Sequence, residues 1–164
     1  MPLAGQGDLV LFVADAANTS ITGLSTQNYS FNINGDAGLD LRATISWIDP
    51  ALASFSMKLL VHDLDLEIIS PNGTRHTMWS SGETDEDNVN ERVIIDASDV
   101  ESGTWTISVS SKELVRPVQS YSLVVNGAIL GSTDGETGGG LRVTPMLVIP
   151  IMLGVLMSIF EAAF

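Results

Sequence analysis

Residues 61–75, Val-His-Asp-Leu-Asp-Leu-Glu-Ile-Ile-Ser-Pro-Asn-Gly-Thr-Arg, constrain the fold more than any other stretch of this chain. Leu64, Leu66 and Ile68 alternate with Asp63, Asp65 and Glu67. A period of two is that of a half-buried β-strand, with one row of side chains in a core and the other in water. The strand runs straight into a turn: Pro71 presets φ near −65°, Asn72 and Gly73 tolerate left-handed backbone, and Thr74-Arg75 restarts an extended segment. The pattern predicts a hairpin.

Similar signals recur in order. Leu9 to Val13 is a short apolar run, and Ala16 to Gln27 reads as a small, polar loop. Tyr29, Phe31 and Ile33 alternate with polar residues up to Asn34-Gly35-Asp36, a turn signal that predicts a hairpin into the next strand. Leu41, Ala43, Ile45 and Trp47 then share one face until Asp49-Pro50 stops the strand and residues 51–60 cross over. Arg75 to Trp79 reads as a return strand and residues 80–90 as an acidic surface loop. Residues 91–95, 104–110 and 119–126 complete the set, with Trp105, Ile107, Val109 and Tyr121, Leu123, Val125 inward. His62 and His76 read as strand-surface residues. About eight short antiparallel strands without a helical period argue an all-β sandwich of the jelly-roll or galactose-binding-like kind.

Twenty acidic against seven basic residues give a net charge of −13, which excludes a nucleic-acid role, because phosphate binding needs clustered Lys and Arg. Cations are the more natural partners. Asp63, Asp65, Asp87, Asn88, Asn90 and Glu91 form a candidate calcium cage, since calcium takes six to eight oxygens from carboxylates and carbonyls. A merely solvated acidic face is the competing account. With no cysteine, the chain carries no redox evidence.

Composition changes abruptly after Gly127. Residues 1–7 read as the remnant of a preceding region, 8–127 as the sandwich, 128–142 as a Gly-rich flexible linker and 143–164 as a hydrophobic segment, expected to be helical. Residues 143–160 carry no charge over eighteen positions, about the minimum for a membrane helix, but Pro145 and Pro150 would kink it. A glycolipid-anchor signal with attachment at Gly131 or Ser132 fits the same composition. Membrane association at an extracellular or cell-surface location is expected on either account, and a buried C-terminal helix is the competing one. Asn18, Asn28 and Asn72 each head an Asn-X-Ser/Thr sequon and are candidate glycosylation sites.

Four segments also carry a resemblance in fixed order: Leu41 to Pro50, His62 to Leu66 with Ser70 to Thr74, Asn88 to Glu91, and Glu101 to Ile107 with Tyr121 to Val125. Together they resemble the β-sandwich that follows the catalytic domain of certain subtilisin-like serine proteases, and more loosely the P domain of the kexin and furin group. The resemblance implies a non-catalytic accessory domain whose partner is a subtilisin-type catalytic domain, with calcium bound at loops of this kind. No catalytic Asp, H-G-T or G-T-S motif of that family is present, so the chain is expected to be a fragment without catalytic residues of its own. The alternative is a stand-alone, membrane-tethered module binding carbohydrate or protein, in which Trp79 would serve as the stacking ring.

Overall fold

The computed structural model describes residues 9–51, 60–79 and 87–132. Among these residues ten strands are present: β1 Val10–Ala14, β2 Ser20–Thr22, β3 Thr26–Ile33, β4 Leu41–Trp47, β5 His62–Ile69, β6 Arg75–His76, β7 Asn90–Ile95, β8 Gly103–Leu114, β9 Val118–Gly127 and β10 Ile129–Ser132. They form two five-stranded antiparallel sheets. One has the order β1-β9-β4-β7, with β2 continuing along β9, and the other the order β10-β3-β8-β5-β6. From β2 onward, every link except the β5–β6 hairpin crosses from one sheet to the other.

The alternating rows meet between the sheets. Leu41, Ala43, Ile45, Tyr121, Leu123 and Val125 from one sheet share a core with Phe31, Leu64, Leu66, Ile68, Trp105 and Ile107 from the other. Full burial of one such large side chain contributes about 1.5–3 kcal/mol, so this core is the main source of stability. Trp47 and Trp105 lie in it as expected, while Trp79 stays half exposed.

The β5–β6 hairpin forms as the sequence predicts. Gly73 adopts φ 87°, its amide donates to Ser70 O, and Ser70 N donates to Thr74 O. The turn then packs on β8. A Cβ on Gly103 (φ 147°) would lie 2.8 Å from Pro71 Cγ, so the Pro71 turn and the start of β8 approach through a glycine.

Several expectations need correction. Asn34-Gly35-Asp36 does not close a hairpin: Asn34 caps a three-residue 3-10 turn, Gly35–Ala37, and the chain crosses to the opposite sheet. Gly35 sits against residues 100–102, where a Cβ would lie 2.5 Å from Val100 O, and that packing directs the crossover. The expected loop over 16–27 contains β2, whose Ile21 is fully buried. The expected return strand 75–79 ends at His76. The sandwich also runs past Gly127, because β10 pairs with β3. Gly131 and Ser132, expected at the head of a flexible linker, are residues of that strand.

The hydrophobic segment 143–164 and its expected helix lie outside the described residues. Among the described residues no helix is long and apolar enough to cross a membrane.

Candidate functional site

Period-two phasing has a consequence for polar residues. His62 lies in phase with Leu64, Leu66 and Ile68; Glu91 with Val93 and Ile95; and Gln119 with Tyr121, Leu123 and Val125. All three are therefore carried into the sandwich, and all three are buried. A buried polar group left without a partner costs about 1–3 kcal/mol, so the fold must provide partners.

His62 and Gln119 satisfy each other at one end of the sandwich. The Arg116 amide donates to His62 Nε2 at 2.9 Å, so that nitrogen carries no proton and the hydrogen sits on Nδ1. Nδ1 then donates to Gln119 Oε1 at 2.6 Å. Gln119 Nε2 donates in turn to Ile48 O at 3.2 Å and Ser120 O at 2.6 Å. Trp47 Nε1 donates to His62 O, and the Asp49 carboxylate accepts the amides of Val61 and His62, each at 2.8 Å. His62 is thus a fully buried linchpin, not the strand-surface residue expected from its polarity.

Beside this network lies a cleft of about 520 Å³, within the ordinary range for small-ligand pockets. Trp47, Asp49, His62 and Gln119 line its inner wall; Ser46, Ser120 and Ser122 contribute hydroxyls; Ile48, Pro50, Val118 and Arg116 also line it. Ile48 is 90% exposed and Val118 48% exposed, so part of that lining is apolar and open to water.

A second, partly buried polar cluster crosses between the sheets. Tyr29 on β3 and Tyr121 on β9 have hydroxyl oxygens 2.7 Å apart, Tyr121 donates to Gln27 Oε1, and Gln27 Nε2 donates to Ser20 O at 2.6 Å. Burial raises the pKa of both phenols above the ordinary tyrosine value. The bond to Tyr121 partly offsets this for Tyr29, whereas the bond to Tyr29 raises Tyr121 further.

The candidate calcium residues are placed as follows. Asp63 and Asp65 lie on β5, Asn90 and Glu91 on β7, and Asp87 and Asn88 in the exposed segment before β7. Asp65 is 3% exposed, contrary to the wet face expected for it, and its Oδ2 lies 3.2 Å from Lys112 Nζ beside the β5–β8 register shift. Glu91 Oε2 accepts the Leu66 amide at 2.6 Å. Among the described residues no group of three or more His, Asp or Glu side chains is gathered to hold a metal ion. Asp65 thus faces a lysine and Glu91 a backbone amide.

Asn18, Asn28 and Asn72 are all exposed. Asn72 Oδ1 accepts from Ser70 Oγ and the Thr74 amide within the hairpin turn. His76 lies against the core, its ring centroid 6.1 Å from that of Trp105.

Asp49, Gln119 and Arg116 are not among the site residues expected from the sequence. The signal for Gln119 was its phase with an inward apolar row. That for Asp49 was its place just after a strand and before a proline. Arg116 carries no such signal.

No family model matches the chain. Over 109 residues, 61% of its length, the chain is 28% identical to a Dictyostelium discoideum protein described as serine protease/ABC transporter B family protein tagA. It spans 6% of the length of that relative. The similarity is a loose link to a protease-bearing protein.

Proposed function

We propose that this chain is a non-catalytic accessory domain of a subtilisin-like serine endopeptidase, a jelly roll that stabilises or positions a catalytic domain. The observation that carries the reading is the 28% identity to a protein described as a serine protease/ABC transporter B family protein. The sheet-switching connectivity supports the jelly-roll class, since Greek-key links of this kind join the two layers of such sandwiches. The chemistry of His62 supports the non-catalytic role. A serine protease base needs one ring nitrogen facing the nucleophile and the other held by a carboxylate, whereas His62 commits its nitrogens to an amide and a glutamine. Membrane association through residues 143–164, at the cell surface, belongs to the same proposal.

Two measurements test it. Sequencing the transcript upstream of the Met1 codon is expected to find an in-frame region with the H-G-T and G-T-S motifs; an in-frame stop codon there would overturn the accessory role. The purified chain is expected to leave casein intact, and cleavage abolished by a serine-directed inhibitor would overturn the non-catalytic assignment.

A further inference from the structure

We propose that the cleft between the ends of β4, β5 and β9 binds the C-terminal carboxylate of an extended peptide, with Arg116 as the residue that holds it. Among the described residues, Arg42 pairs with Asp40, Arg75 with Glu67 and Lys112 with Asp65. Arg116 enters no ion pair with a described residue, and it lines the cleft. A guanidinium presents paired donors that match a carboxylate, and such charge-assisted bonds are the strong ones.

The backbone beneath Arg116 is already fixed. Its amide is tied to the fully buried His62, so the turn that presents the guanidinium is preorganised and only the side chain itself remains to be ordered on binding. The remaining lining sets the rest of the ligand. Ser46, Ser120 and Ser122 offer hydroxyls to peptide groups, and Ile48 and Val118 offer an exposed apolar wall.

A ligand that suits this lining brings one negative charge with a short aliphatic group next to it. The last residue of a peptide has that form, because its α-carboxylate and its side chain leave the same carbon. An internal Asp or Glu carries its charge at the end of a methylene stem, with no second aliphatic side chain leaving the carbon that bears it. A net charge of −13 also disfavours ligands with several negative charges. The setting rests on the accessory-domain reading: an endopeptidase adds water across an amide to give one amine and one new carboxylate terminus. The cleft itself does not depend on it.

The test is calorimetric titration of the full chain with acetyl-Gly-Ala-Val as the free acid, as its amide, and with an aspartate side chain supplying the only carboxylate. The acid is expected to bind about tenfold or more tightly than either of the others, the loss that one charge-assisted contact predicts. R116Q should weaken the acid by a similar factor without moving the melting midpoint. R92Q removes the same charge from β7, away from the cleft, and should bind the acid as the parent does. Equal binding of acid and amide, no saturable binding in the millimolar range, an unaffected R116Q, or an equal loss in R92Q would each overturn the proposal. Binding of the acid by a chain whose transcript lacks a protease region would sink the accessory role and leave the cleft assignment standing.

Discussion

The backbone amide of Leu66, in one sheet, donates to the carboxylate of Glu91, in the other, at 2.6 Å. Among the described residues, no strand pairs with β5 at Leu66 on the side away from β8, since β6 pairs only with Ile68 and Ile69. Asp49 does the same at the start of β5, accepting the amides of Val61 and His62. The carboxylate of Glu91, from the opposite sheet, and that of Asp49, just beyond the end of β4, thus accept amides along this stretch. A buried amide must find an acceptor, and a charged acceptor makes the stronger bond.

Removing the acceptor should therefore cost more than removing its charge. Glu91→Ala is expected to lower unfolding free energy by about 1–3 kcal/mol through the stranded Leu66 amide, and Glu91→Gln, which keeps a carbonyl oxygen, by less. Urea titration of both variants checks the order; equal losses would mean that the amide bond is not what Glu91 contributes.

The core assignment separates two tryptophans. Trp105, fully buried with its Nε1 donating to Glu101 O, should cost about 3–5 kcal/mol on replacement by Ala. Trp79, half exposed, should cost well under that. Denaturant midpoints of the two variants, with the order reversed, would contradict the placement of these faces.

Gly103 is expected to resist substitution for two reasons that act together. Its φ of 147° is strained for any L side chain, and a Cβ there would meet Pro71. Gly103→Ala should destabilise by about 1–3 kcal/mol. Pairing it with Pro71→Ala relieves only the contact, so partial recovery of the urea midpoint in the double variant is the expected outcome.

The tyrosine pair predicts an alkaline limit. Both phenols have pKa values raised above the ordinary 10.0, mainly by burial. Their contribution is fully present below pH 10 and is lost as pH rises beyond it, because the unfolded chain releases protons that the folded chain retains. These are the only two tyrosines, so tyrosinate absorbance should appear together with unfolding and not before it. In Tyr29→Phe/Tyr121→Phe the melting midpoint should fall less steeply above pH 10; an unchanged slope would place the alkaline loss elsewhere.

The sequence by itself determined which side of each strand faces the core, because side-chain direction alternates strictly along extended backbone. Leu64, Leu66 and Ile68, or Tyr121, Leu123 and Val125, could be assigned without knowing any partner strand. The Ser70 to Thr74 turn was equally local, since its geometry is set by residues within five positions of each other. His62, Glu91 and Gln119 were legible in the same way, had phase been given precedence over polarity.

Tertiary structure alone decided the rest. Asn34-Gly35-Asp36 has the local chemistry of a hairpin, yet contact with residues 100–102 directs the chain into the other sheet. Asp65 is out of phase with the core and is nonetheless buried, beside a lysine brought close across a β5–β8 irregularity. Arg116 acquires its place only because His62, 54 residues earlier, accepts its amide. Period and turn chemistry act over a few residues, whereas strand partners and polar contacts form between segments far apart in the chain, so only the packed sheets determine them.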